Sequence, residues 1–181
     1  MRDVLAVLAV VGLGLAPASA AQQAGKTTTF AVKGILLLPG EAYVEEVDAF
    51  FDIDMGFGVA ASVDTRLGER ITGGLFLDLL SVSAYDETGS FLEIGAAIKA
   101  AFNSGPAQPT WRPGIGFGYG TLSAVGGIGP TNYFLVRGSF EVQLPSQWVA
   151  EAILWGAPSG GNEQVTVTYG PMVQLRVGRA F

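Results

Sequence analysis

Residues 165–181 read VTVTYGPMVQLRVGRAF, and this stretch decides the fold. Val165, Val167, Tyr169, Val173, Leu175, Val177 and Phe181 fall on alternate positions, with Thr166, Thr168, Gly170, Gln174, Arg176 and Gly178 between them. Side chains of a β-strand alternate between its faces, so a period of two over this length predicts a long strand with one apolar and one polar face. A soluble barrel turns the apolar row inward. A membrane barrel turns it toward lipid and lines its lumen with the polar row. The strand ends on an aromatic residue, Phe181.

The other end of the chain predicts export. Residues 4–15, VLAVLAVVGLGL, form an apolar run followed by Ala18-Ser19-Ala20. A spanning helix needs about 20 apolar residues, so this run fits a secretory signal with an A-x-A cleavage site. The expected organisation is a signal peptide over 1–20 and one barrel domain over 21–181. Hydrophobic residues make up 49% of the chain and its mean hydropathy is +0.41, yet no later apolar run approaches helical spanning length. Hydrophobicity spread over alternating segments is how a membrane barrel reads. With no Cys, the chain has no disulfide, no thiolate metal site and no lipidated cysteine. A net charge of −6 without a basic stripe argues against a nucleic-acid partner.

Gly, Pro and Asn clusters divide the chain into alternating segments at 28–38, 49–65, 70–83, 90–102, 111–122, 132–144, 147–157 and 165–181. Each reaches the roughly 9–11 residues that a spanning strand requires. An even number places both termini on one side, with outer loops at 39–48, 84–89, 123–131 and 158–163 and inner turns at 66–69, 103–110 and 145–146. The predicted fold is all-β, an eight-stranded antiparallel up-and-down transmembrane barrel. Strands at this spacing also fit a soluble β-sandwich, so the decision rests on which face is apolar.

The polar rows carry the charges. Collected over the strands, the expected lumen acids are Asp52, Asp54, Asp64, Asp78, Glu93, Glu141 and Glu151, against the bases Lys33, Lys99, Arg112, Arg137 and Arg176. A lone charge in a narrow interior costs several kcal/mol, so a mixed set predicts an ion-pair network that plugs the lumen. A proton or ion path through the same groups is the sharper alternative. On the fifth segment Gly114, Gly116, Gly118 and Gly120 share the lumen face, which clears space for large neighbours such as Phe76, Tyr133 or Arg137. That glycine spacing has no helix pattern or phosphate-binding Lys after it, so it is not a phosphate loop. Phe30, Phe50, Phe51, Phe91, Phe102, Trp111, Tyr133, Phe134, Trp148, Trp155 and Phe181 lie near segment ends, where membrane barrels carry aromatic girdles.

With the signal, the stretch Trp111-Arg112-Pro113-Gly114-Ile115-Gly116-Phe117-Gly118-Tyr119-Gly120 and the terminal Phe181, the chain resembles the small outer-membrane β-barrel family that includes the OmpX-like proteins and the OmpA membrane domain. The likeness runs from about Thr28 to Phe181, mostly as pattern. It implies residence in the outer membrane of a Gram-negative-type bacterium, lipid as the chief partner, and recognition of the C-terminal strand by the barrel-assembly machinery through Phe181. It departs in its short outer loops and brings no catalytic residues.

The residues themselves disfavour catalysis. The chain has no His, so Ser62, Ser81, Ser83, Ser139 and Ser146 lack the usual base and transition metals lack their commonest ligand. No catalytic, cofactor-binding or metal-binding residue is assigned, and no cofactor is expected. The favoured function is a structural or surface-interaction barrel, with the acidic segment 41–48 as its contact surface. A narrow conduit for small solutes is one alternative. A soluble lipocalin-like binder, with the apolar rows inside and the charges outside, is another.

Overall fold

The computed structural model of the chain describes residues 28–84, 87–102, 107–124 and 129–181. The expected signal peptide lies outside the described residues, as do parts of the turns 84–89, 103–110 and 123–131. Ten strands follow one another: β1 Thr28–Leu37, β2 Gly40–Val44, β3 Ala49–Ile53, β4 Gly56–Arg66, β5 Ile71–Ala84, β6 Glu87–Ala100, β7 Thr110–Leu122, β8 Thr131–Gln143, β9 Trp148–Gly161 and β10 Thr166–Ala180. Eight of them form a closed antiparallel ring in the order β1-β4-β5-β6-β7-β8-β9-β10. β10 returns to β1 from Ala31↔Ala180 to Leu37↔Gln174 and so removes the sheet edge. Thr28 and Phe181 lie at the same end, here the terminal end.

β2 and β3 are extensions of barrel staves beyond the ring at the far end. β2 continues β1 along β10, pairing Ala42 with Tyr169 and Val44 with Val167. A short 3-10 turn, Glu45–Val47, then reverses the chain into β3, with Asp48 in the left-handed region at φ 48°. Asp tolerates that region better than most residues because its short polar side chain bonds locally. Its carboxylate accepts from the Tyr43 hydroxyl at 2.8 Å. The segment expected as an outer loop at 39–48 is therefore half strand, and the segment expected as one strand at 49–65 is two.

The breaks between these pieces share a cause. Leu37 points inward, and so does Ala42; Ile53 points inward, and so do Gly56 and Ala60. The inward phase thus switches parity between β1 and β2 and again between β3 and β4. β10 does the same: Val167 and Tyr169 face in, then Met172, Gln174 and Arg176. Hydrogen-bonded neighbours must keep their side chains on matching faces, so a parity change in one strand requires one in the next. The change runs across β1/β2, β3/β4, β10 and β9 and is absorbed where β9 slips against β8, between Phe134 and Val136. On its other side it ends beside β5, where β3 is paired only with β2 in the sheet and the Asp54 N–H donates to Ser83 O at 2.9 Å. Pro39, Pro158 and Pro171 mark three of these breaks; a residue without an N–H is tolerated at a bulge and not within a regular ladder.

The faces settle the choice between a soluble and a membrane barrel. Ile115 is 70% exposed, Leu75 66%, Phe57 62% and Ile94 59%, while every charged side chain on the lumen row of β5–β10 is buried. Ile98, Phe117, Phe134, Val136, Phe140, Leu154, Leu175 and Val177 continue the apolar exterior. An apolar surface that encircles the molecule is a lipid-facing surface. The lipocalin-like arrangement, with apolar rows inside and charges outside, is the reverse of what the staves adopt.

The candidate functional site, a lumen in two sections

Five acids and five bases are buried in the barrel: Asp64, Asp78, Glu93, Glu141 and Glu151 with Lys33, Lys99, Arg112, Arg137 and Arg176. The strands deliver them by alternation. Glu93 and Lys99 share the inward row of β6, Arg112 opens β7, and Arg137 and Glu141 sit four apart on β8.

Toward the terminal end six of these groups interlock. Lys33 Nζ donates to Glu141 Oε2 at 2.6 Å and to Glu151 Oε2 at 2.7 Å. Lys99 Nζ donates to the same Glu141 oxygen at 2.9 Å and to Asp64 Oδ2 at 3.2 Å. Arg112 spans the set, from Nη1 to Glu141 Oε1 at 2.7 Å and from Nη2 to Asp64 Oδ2 and Thr72 Oγ1, both at 2.8 Å. Nearer the middle, Asp78 accepts from both Arg176 Nη groups, at 3.0 and 2.7 Å, and from Arg137 Nη1 at 3.0 Å. Gln174 Oε1 holds the Arg176 fork from the other side. Arg137 lies over the Phe76 ring, 3.2 Å from its centroid, a cation–π contact in a dry interior.

Glu93 differs from the other acids. It makes no ion pair among the described residues, and its Oε1 accepts from the Tyr133 hydroxyl at 2.9 Å. Tyr133 is where the polar section gives way to an apolar one. Phe91 meets Tyr133, Trp155 and Tyr169 edge-on with centroids 5.7–5.8 Å apart, a favourable aromatic geometry. Thr131 Oγ1 and Tyr169 Oη share a hydrogen bond of 2.8 Å. Leu37, Leu135 and Ala157 are wholly buried around them, and Val44, Ile53, Leu80, Val82, Leu122, Val167 and Met172 extend the same cluster to the far end.

The β7 glycines make room for these large groups. A Cβ at Gly114 would come within 2.8 Å of Lys99 Cγ and 2.9 Å of Ser139 Oγ, and one at Gly120 would enter the Tyr133 ring. At Gly116 it would meet Ala96 O at 2.9 Å before Arg137 Cγ at 3.3 Å, and at Gly118 it would meet the β6 backbone.

Three expectations need correction. Asp52 and Asp54 are exposed on the β2–β3 extension and do not enter the lumen, because the parity switch before Gly56 turns their row outward. Phe91, Tyr133 and Trp155 stand inside the lumen and not in an interfacial girdle. Val167 and Tyr169 face in, while Val173, Leu175 and Val177 face out, so the C-terminal alternation is two half-strands joined at Gly170-Pro171. Sequence reasoning also missed Gln174 and Thr131. Gln174 follows from Arg176 by strand spacing, two residues apart on one face; nothing local marks Thr131.

No protein-family model matches the chain, and no curated protein matches it in sequence. Among solved structures, the outer membrane protein OprG from Pseudomonas aeruginosa is similar, with 10% identity and a TM-score of 0.50, over 85% of this chain and 95% of that one. Ail, the attachment invasion locus protein of Yersinia pestis, is similar with 11% identity and a TM-score of 0.48, over 87% and 100% of the two chains. Neisserial surface protein A follows at 14% identity and 0.44, over 82% and 96%. At such identities the likeness is one of fold. The apolar exterior and the buried charges, with the likeness in fold to OprG, make this chain a small eight-stranded transmembrane β-barrel of the outer-membrane type.

Proposed function

We propose that the protein is a structural barrel of the outer membrane with a plugged, non-conducting lumen. The observation that supports this reading is the interlocking of lumen acids and bases below a water-excluding aromatic section. Side chains suffice to fill a barrel of eight strands, and here charged groups occupy one part of the bore and apolar groups the other. An ion crossing it would have to displace Lys33 or Arg176 from their carboxylates and then enter a section lined by Leu37, Phe91 and Leu135. The test is conductance of the purified, refolded protein in planar bilayers, with heat-modifiable mobility as proof of a folded barrel. The expected outcome is a mobility shift with no unitary conductance. Discrete openings from heat-modifiable protein would sink the plug and favour the narrow conduit.

Within this reading the chain has no enzymatic role and no cofactor, and its partner is lipid. Phe181 would act as the assembly signal: its side chain is exposed, and its backbone exchanges hydrogen bonds with Phe30 at 2.7 and 3.3 Å, closing the ring. Phe181→Ala should lower the yield of folded barrel in cells and leave refolding in detergent unchanged. Equal loss in both would mean a purely structural Phe181.

A further inference from the structure

Below the ion pairs the lumen opens at the terminal end into a cavity of about 380 Å³. That volume falls in the roughly 300–1,000 Å³ range of small-molecule sites. Its lining includes Arg66, Arg70 and Arg112, the acids Asp64 and Glu69, and the neutral donors Thr110 and Gln143. Asp64 is already engaged, since its Oδ2 takes both Arg112 and Lys99. Arg66 and Arg70 are exposed and make no ion pair among the described residues. Two free guanidinium groups therefore face one free carboxylate, Glu69, over a floor whose nearest cation is Arg112.

This excess of positive charge stands out in a chain whose net charge is −6. Outside the lumen, Arg66, Arg70 and Arg179 are the only cations among the described residues, and two of the three line this one cavity. We propose that the cavity at the terminal mouth is a binding site for a small oxyanion of phosphate type, held by Arg66 and Arg70. The planar guanidinium fork matches such groups, and Thr110 and Gln143 add uncharged donors at the wall. The site is independent of whether the lumen conducts. The same chemistry has two sources, a free phosphate-bearing solute or a lipid headgroup reaching over the rim.

The experiment is a titration of the isotope-labelled, refolded barrel in nonionic detergent with inorganic phosphate, against chloride at matched ionic strength, followed by the arginine Nε–H resonances. Saturable shifts at Arg66, Arg70 and Arg112 are expected. The variant Arg66→Gln/Arg70→Gln should bind about tenfold or more weakly, since removing a charge-assisted hydrogen bond costs a factor of that order. Both side chains are exposed, Arg66 at the end of β4 and Arg70 in the turn after it, and Arg179→Gln, outside the cavity, should leave the affinity unaltered. A second sample in nanodiscs containing phosphatidylglycerol, without added phosphate, identifies the source. Shifts confined to that sample would still support the site and assign it to a headgroup. Unsaturable shifts, an equal loss with Arg179→Gln, or no response in either sample would overturn it.

Discussion

The two sections of the lumen exclude water by opposite means. At the terminal end Lys33, Lys99 and Arg112 are tied to Asp64, Glu141 and Glu151, so that every group depends on partners from other strands. At the far end Phe91, Trp155, Tyr169, Leu37 and Leu135 pack with only a few hydroxyl hydrogen bonds. The difference lies in how each section fails. Removing one ion partner leaves an uncompensated charge in a dry interior; removing one ring leaves a void whose walls have nothing to pack against.

The largest effect is expected at Asp78, which holds two arginines. Asp78→Ala should destabilise the barrel by about 3–5 kcal/mol in denaturant unfolding followed by gel mobility. Replacing Asp78, Arg137 and Arg176 together by apolar residues of similar volume should recover most of that loss, because no charge is then left alone. A triple variant as weak as the single one would show that the charged section is not interchangeable with the apolar one.

Phe91→Ala tests the other section. Truncating a buried aromatic typically costs about 3–5 kcal/mol, and the lower half of that range is expected here because Tyr133 and Trp155 can lean into the gap. Conductance should remain absent, since the ion pairs still fill the bore below. Openings in this variant alone would place the barrier entirely in the aromatic section.

A smaller effect is expected outside the ring. Glu46 accepts from the Thr166 N–H through both carboxylate oxygens at 2.8 Å, and that bond holds its carboxyl below the usual glutamate value. A depressed carboxyl stabilises the folded form above its unfolded value, and the contribution disappears as the pH falls through the folded one. The β2–β3 extension should therefore stay clamped to β10 at neutral pH and loosen only in acid below the ordinary glutamate range. Hydrogen exchange at the Thr166 amide reads this directly: Glu46→Gln should exchange faster at neutral pH and lose the acid dependence. The smallest effect belongs to Asp52→Asn and Asp54→Asn, expected within about 0.5 kcal/mol of the parent. A large loss there would return those acids to a structural role.

Much of the barrel was legible because alternation is a local property. Glu93 and Lys99 on β6, or Arg137 and Glu141 on β8, fall on one face whatever the rest of the chain does, and the apolar residues between them must then face the other way. The parity switch was not legible in the same way. Pro39, Pro158 and Pro171 marked the places, but each reads equally well as the start of a loop or a gap in a strand. Only pairing shows that the strands continue past them with their faces exchanged, which moves Asp52 and Asp54 out and Val167 and Tyr169 in.

The sequence by itself determined that the regular strands alternate and which of their residues share a face, because both follow from two residues per repeat. Tertiary structure alone decided who meets whom inside. That Arg112 reaches Asp64, that Asp78 takes Arg137 and Arg176, and that Glu93 is left with Tyr133 depend on stagger and closure between strands far apart in the chain. Side-chain period carries no record of that stagger; hydrogen-bond register around the closed ring does.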